Sequence, residues 1–131
     1  MILFSDFTII QFPGDVPKKG DNVEVVCVFG RAENLTDVTW FRNRPSGIPE
    51  KIITLSSSLQ LKYKDEKFKD RIKINAQEQP SIRERRFTLL EVEHNDISDY
   101  WCEVTPNIYN RSETSKLQLK GFNVLFSDDF F

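Results

Sequence analysis

The stretch Asp96-Ile97-Ser98-Asp99-Tyr100-Trp101-Cys102 joins a polar turn to an aromatic, cysteine-containing segment, and the rest of the chain is organised around it. Residues two apart on a β-strand point to the same face, so Tyr100 and Cys102 share one face and Val104 extends it. A tyrosine buried at the corner of a sheet needs a partner for its hydroxyl, and the sharp turn before this strand offers backbone groups. The stretch therefore predicts a strand with one core face.

Two upstream segments show the same two-residue alternation. In Val23–Phe29 every second residue, beginning with the first, is apolar, which predicts a strand whose core side is fixed by its register. The segment 38–43 contains Trp40. If this indole faces the core, Thr39 and Phe41 face away from it.

The spacing Asp-x-Ser-x-Tyr-x-Cys, with Cys27 and Trp40 upstream, resembles the immunoglobulin superfamily, variable set, over residues 7–120. The resemblance implies an all-β fold, a Greek-key β-sandwich of the V-set type with one disulfide between strands B and F. That disulfide would join Cys27 to Cys102, which are the two cysteines of the chain. The alternative is two buried free thiols in a cytosolic protein.

Further core and surface contacts follow from the same resemblance. Trp40 is expected to pack against the disulfide, and Tyr100 is expected to form the buried tyrosine corner. In variable-set domains an arginine at the start of strand D pairs with the aspartate of the motif, which here implies an ion pair between Arg71 and Asp96. The alternative is two solvated charges.

Alternating or β-branched segments predict the remaining strands, and two of them lie between strands C and D, as is typical of variable-type domains. The first strand is expected to lie at an edge and to switch sheets, since Pro13-Gly14 stops it. The run Arg83–Arg86 is predicted to be a solvated turn because its charges are mixed. The predicted strands are 7–12, 50–55, 59–63, 70–74, 87–92 and 115–120.

The composition fits a single domain and excludes some partners. The chain has 131 residues, with 18 basic and 20 acidic side chains and a net charge of −2. This balance produces no large single-sign field, so neither nucleic acid nor direct binding to an anionic membrane surface is expected. The predicted organisation is a lead-in at 1–6, the domain at 7–120, and a tail at 121–131. Because Leu-Phe-Ser-Asp occurs at both 3–6 and 125–128, one hypothesis is that the tail starts a second immunoglobulin-like domain, and the alternative is an accidental four-residue match.

The predicted disulfide requires an oxidising compartment, so the protein is expected to be extracellular, as part of the ectodomain of a plasma-membrane protein. The first residues lack a basic region followed by a long apolar one. The signal peptide and membrane anchor are therefore expected to lie outside the sequence given. Asn34 and Asn110 each begin an Asn-x-Ser/Thr sequon in a predicted loop, which indicates a glycoprotein.

Catalytic and metal-binding patterns are missing from the sequence. It contains no Gly-rich phosphate loop and no Gly-x-Ser-x-Gly. The lone His94 lies in a polar turn without a second histidine or a nearby cysteine, so it is predicted to be a surface residue. We expect no enzyme activity, no cofactor and no metal.

The candidate partner-binding residues lie on the outer side of one predicted sheet. Its strands are C (38–43), C′ (50–55), F (the strand that contains Tyr100 and Cys102) and G (115–120). Trp101 and Glu103 alternate with the core residues of strand F, as Thr39 and Phe41 do on strand C, and Gln118 faces outward on strand G. The two aromatics should lie close together and face outward, and such aromatics among polar residues are typical of protein interfaces. The alternative is that an overlying side chain covers them as ordinary sheet packing.

The predicted function is recognition through this sheet. Glycans on the two sequons would obstruct binding by the loops at one end of the sandwich, which favours the sheet face. The partner is expected to be another immunoglobulin-like domain of the same or a related protein, with a possible weak homodimer and homophilic adhesion. The alternatives are a heterophilic immune-type receptor or receptor ligand, and a secreted decoy module. Strand G is not preceded by Phe-Gly-x-Gly, which argues against a rearranged antigen receptor.

Overall fold

Antiparallel strands form two sheets in the computed structural model, which describes residues 8–29, 37–43, 47–75, 84–105 and 111–121. Asn34, Asn110, the lead-in at 1–6 and the tail from 122 onward lie outside the described residues. The strands are β1 (Thr8–Gln11), β2 (Val23–Phe29), β3 (Asp37–Asn43), β4 (Pro49–Ser56), β5 (Leu61–Lys64), β6 (Ile72–Lys73), β7 (Glu84–Leu89), β8 (Ser98–Thr105) and β9 (Ser115–Leu117).

The strand order confirms the predicted sandwich. One sheet has the order β1-β2-β7-β6 and the other has the order β5-β4-β3-β8-β9. A disulfide joins Cys27 of the first sheet to Cys102 of the second, with an S–S distance of 2.08 Å and a Cα–Cα distance of 6.2 Å. The predicted pairing is therefore confirmed, and the alternative of two free thiols is wrong.

The core lies between the inner faces of the two sheets and is centred on Trp40. This residue is the cross-strand partner of Cys102, so its indole lies beside the disulfide. It is fully buried and meets the Phe87 ring edge to face, with centroids 5.1 Å apart. Tyr100 is also fully buried, and its ring contacts the edge of Phe12 at 5.6 Å. Alternation along β3 and β8 thus places both predicted core aromatics inward.

A shift in register on β4 lets consecutive residues face the core. The pairing of β3 with β4 shifts between Trp40 and Phe41. Ile52 and Ile53 are consequently both buried, although they are adjacent in sequence. The same shift makes Lys51 the cross-strand partner of Phe41.

The prediction of a solvated turn at Arg83–Arg86 is wrong for the residues that the structure describes. β7 begins at Glu84, and Arg85 is only 9% exposed. Its guanidinium donates from Nη1 and Nη2 to the carbonyls of Glu84 and Ser57, at 2.7 and 3.3 Å, so backbone oxygens accept two of its hydrogen bonds. Charge alone did not exclude a strand because backbone carbonyls can satisfy a buried guanidinium.

The first and last strands are both shorter than predicted. β1 pairs with β2, and after Gly14, whose φ is +94°, the chain crosses toward the second sheet. A hydrogen bond joins this crossing segment to the residues that follow β9: the Lys120 amide donates to the Pro17 carbonyl at 2.8 Å. β9 ends at Leu117, although Leu119 is still buried. The predicted switch between sheets is therefore a crossing segment rather than a long paired strand.

Candidate functional site

The register of the five-stranded sheet brings most of the predicted binding residues together on one surface. Phe41 is the cross-strand partner of Trp101, and Thr39 is the partner of Glu103. Their neighbours Trp40 and Cys102 belong to the buried core, so these four residues point away from it. We call the side of β5-β4-β3-β8-β9 that faces away from the core the outer face.

The aromatic pair forms a stack on the outer face. The rings of Phe41 and Trp101 are nearly parallel, with an interplanar angle of 8° and centroids 5.2 Å apart. The Arg111 guanidinium lies over the Trp101 ring, with Cζ 4.5 Å from the centroid. Residues of β3, β8 and the segment before β9 thus lie side by side across the sheet.

The expectation that both aromatics are accessible has to be corrected for Trp101. This side chain is only 3% exposed, whereas Phe41 is half-buried. The physical cause is lateral packing, because Phe41 and Arg111 cover the indole from the neighbouring strands. The Trp101 Nε1 is buried, and among the described residues it has no hydrogen-bond partner. The accessible ring of the stack is therefore Phe41.

Two further pairs extend the outer face toward β5. The hydroxyls of Thr39 and Thr54 are 2.8 Å apart and form a hydrogen bond between β3 and β4. The Lys51 Nζ lies 4.4 Å from the centroid of the Tyr63 ring, which is partly exposed. The surface is thus aromatic with cations beside it, and cross-strand contacts fix its side chains.

Gln118 lies at the edge of this surface, beyond the end of β9. It is exposed between the buried Leu117 and Leu119, so it faces outward, as the alternation predicts. It also lines a groove with Phe12 and Val16, on the side of the sandwich where the crossing segment after β1 passes. Its place among the binding residues stays a prediction.

Below the stack, an ionic cluster ties β3 to β4. Arg42 donates from Nε to the Glu50 carboxylate at 2.9 Å, and Lys67 binds the other carboxylate oxygen. The Arg42 guanidinium also lies over the Phe68 ring at 4.8 Å. Burial alone would raise the pKa of Glu50, but the hydrogen bonds from Lys67 and Arg42 outweigh it and lower that pKa. Burial also disfavours the charge of Arg42, but Tyr100 and Glu50 raise its pKa.

Arg71 and Asp96 form the ion pair at the end of the sandwich. The Arg71 Nη1 and Nη2 donate to the two Asp96 carboxylate oxygens at 2.9 and 2.8 Å, and Asp96 is only 1% exposed. The same carboxylate accepts the Glu93 amide at 2.9 Å. The Tyr100 hydroxyl donates to the Asp96 carbonyl at 2.6 Å, and burial raises the pKa of Tyr100 to about 12. Arg71 and Asp96 are therefore not two solvated charges.

The family model of the immunoglobulin V-set domain matches residues 17–120. The chain belongs to the immunoglobulin V-set family. A comparison with curated protein sequences finds no significant match. V-set domains are recognition and binding modules and are typically not enzymes. A disulfide-linked V-set domain is typical of extracellular proteins.

The described part of this V-set domain contains neither a membrane-spanning helix nor a cluster of metal-binding side chains. No helix within 8–29, 37–43, 47–75, 84–105 or 111–121 is long and apolar enough to cross a membrane. Among those same residues, no group of three or more histidine, cysteine, aspartate or glutamate side chains could hold a metal ion. His94 is exposed, as predicted.

Sequence reasoning missed the contribution of the segment that leads into β9 of the V-set domain. In the sequence, Arg111 and Ser112 are notable only as parts of the sequon that begins at Asn110. Ser112 is buried, and its hydroxyl accepts the Cys102 amide at 2.9 Å, so this serine has a structural use beside the disulfide. Arg111 covers Trp101. The available signal was the position of Arg111 shortly before the last strand, next to a strand that carries an outward tryptophan.

Acidification is expected to destabilise the V-set domain through Glu50. Because the folded-state pKa of this carboxyl is lowered, its stabilising contribution is present above the unfolded-state pKa and is lost as the pH falls through the folded-state pKa. The difference in unfolding free energy between the native chain and Glu50→Gln should therefore be largest near pH 7 and shrink below about pH 4. Urea denaturation at a series of pH values measures it. The exposed Glu66→Gln is the control, and a difference that stays constant with pH would contradict the assignment.

Proposed function

We propose that this V-set domain is an extracellular recognition module that binds a second copy of itself through the outer face, as in homophilic adhesion between cells. The Phe41–Trp101 stack carries the proposal. It presents a half-buried aromatic ring at the centre of a sheet surface, surrounded by polar and charged side chains. Aromatic anchors within a polar rim are the residues that dominate protein–protein interfaces.

The rigidity of the stack supports binding. Trp101 is held between neighbours on both sides, and Phe41 packs flat against it. An anchor that is already ordered loses little side-chain entropy when a partner covers it, so more of the contact energy contributes to association. The Thr39–Thr54 hydrogen bond and the Lys51–Tyr63 contact order the adjoining surface in the same way.

Self-association is favoured because a sheet face can meet its own copy about a two-fold axis. In such a contact the same patch serves both partners, so Phe41 of one copy can reach the surface beside Trp101 of the other. A heterophilic immune-type receptor or a secreted decoy would use the same fold without self-association. Measuring self-association therefore separates homophilic recognition from the heterophilic receptor and the secreted decoy.

Phe41→Glu is expected to weaken self-association at least about 30-fold, corresponding to a hot-spot loss of about 2 kcal/mol, because it places a charge at the centre of the contact. Sedimentation equilibrium of the disulfide-bonded domain from about 1 to 100 µM measures the effect. The matched control is Ile9→Glu, since Ile9 is a 43% exposed aliphatic residue on a strand of the other sheet.

Each outcome has a distinct meaning. A native monomer–dimer equilibrium that survives Ile9→Glu but not Phe41→Glu supports homophilic recognition by the outer face. Loss with Ile9→Glu alone would assign the contact to the four-stranded sheet. A strict monomer over the whole concentration range would overturn homophilic binding and point to a heterophilic partner.

A further inference from the structure

Beside Trp101 the outer face carries two cross-strand pairs of opposite charge that do not close as ion pairs. Glu103 is the bridge partner of Arg111, and Asp99 is the cross-strand partner of Lys116. Residues directly opposite on antiparallel strands are close enough for their side chains to meet. Within the part of the chain that the structure describes, however, none of these four side chains makes a salt bridge or a hydrogen bond.

The contact of Arg111 with Trp101 competes with an ion pair to Glu103. An exposed ion pair gains little free energy because water screens it and because two long side chains must be ordered. Arg111 instead lies on the Trp101 ring, which removes indole surface from water. Elsewhere the same chain does close such pairs, both where they are largely buried, as in Arg42 with Glu50, and where one member is exposed, as in Lys62 with Asp37. The Glu103–Arg111 pair thus remains open because Arg111 lies on the Trp101 ring instead.

The open charges are balanced in sign. Asp99 and Glu103 are half-buried acids, while Arg111 and Lys116 are exposed bases on the adjoining segment. A strongly acidic or strongly basic partner would compensate one sign and leave the other buried without a counter-charge, which is costly. A second copy turned by a two-fold axis presents each sign to its opposite.

We propose that two copies of the domain associate with Arg111 of each paired to Glu103 of the other. This pairing rests on the proposed function, and it would fix how the two copies are aligned in the dimer. Because the two residues are cross-strand neighbours, the axis passes close to their bridge, and both Phe41–Trp101 stacks lie beside it. Covering the pair removes water from it, so a charge pair that is too weak to close within one exposed domain becomes strong enough between two.

The test uses two single charge reversals and their mixture. Arg111→Glu places two acids in each contact, and Glu103→Arg places two bases there, so each variant alone should lose self-association at least about tenfold. When the two variants are mixed, one contact of the dimer joins the two substituted side chains and the other joins the two native ones. Both contacts then pair opposite charges, and the mixture should associate within about threefold of the native chain.

Sedimentation equilibrium of each variant and of the equimolar mixture provides the readout. Asp70→Arg replaces an exposed acid in the turn before β6, outside the outer face; it is the control and should associate as the native chain does. Recovery on mixing cannot come from a folding defect, since a misfolded chain would not be rescued by another. Native association that is lost with Phe41→Glu, but is either unchanged in the single reversals or not restored by mixing, would overturn this pairing and leave the outer-face proposal standing. A native chain that is monomeric throughout would overturn both.

Discussion

Replacing both cysteines, Cys27→Ala with Cys102→Ala, is expected to lower the free energy of unfolding by about 4 kcal/mol. The bridge joins residues 75 positions apart in sequence, so it removes a large loop-closure entropy from the unfolded chain. The disulfide also lies in the centre of the core beside Trp40, where the alanine methyl groups would leave unfilled space. Equilibrium denaturation with urea measures the loss.

Reduction of the native chain is the control for this prediction. Dithiothreitol removes the covalent bond and keeps both sulfur atoms, so it isolates the loop-closure contribution from the packing contribution. The reduced native chain should therefore be more stable than the double alanine variant and less stable than the oxidised chain. A double variant within about 1 kcal/mol of the native chain would show that sheet packing alone holds the sandwich.

Asp96→Ala is expected to lower the free energy of unfolding by about 3 kcal/mol, which is the second largest effect that we expect. The carboxylate accepts two hydrogen bonds from Arg71 and one from the Glu93 amide, and it is almost completely buried. Its removal leaves the Arg71 guanidinium partly buried without its counter-charge, and such losses reach about 3–5 kcal/mol for well-buried pairs. The lower end applies because the Arg71 side chain is 25% exposed.

Two further variants test whether that loss comes from the ion pair. Asp70→Ala removes a neighbouring exposed aspartate and should change stability by less than about 0.5 kcal/mol. Arg71→Ala combined with Asp96→Ala should cost less than the sum of the two single changes, because neither partner is then left alone. Strict additivity in urea denaturation would mean that the two side chains act independently and that the loss belongs to the Glu93 turn.

On the outer face, the alternation of residues along a strand predicts which side chains face outward but not which of them are accessible. Alternation along β3 and β8 placed Phe41 and Trp101 on one surface, and the register brought their rings together. Their accessibility was not encoded in the same way, because it depends on Arg111 from a separate segment. The Glu50 cluster shows the same limit, since Lys67 comes from a short 3₁₀ turn rather than from a strand.

Much of the architecture could be predicted from the amino-acid pattern. A two-residue period fixes which side of a strand is buried, and the positions of Cys27, Trp40, Tyr100 and Cys102 resemble those of V-set domains, which bury all four, as this chain does. The contacts of the surface charges, in contrast, could not be predicted in this way. Arg85 lies in a strand with its guanidinium on backbone carbonyls, and Arg111 lies on Trp101 rather than on Glu103. A long flexible cation can contact several neighbours, and only the folded sheets bring these neighbours together. The alternative contacts differ by small free energies that depend on exposure to water.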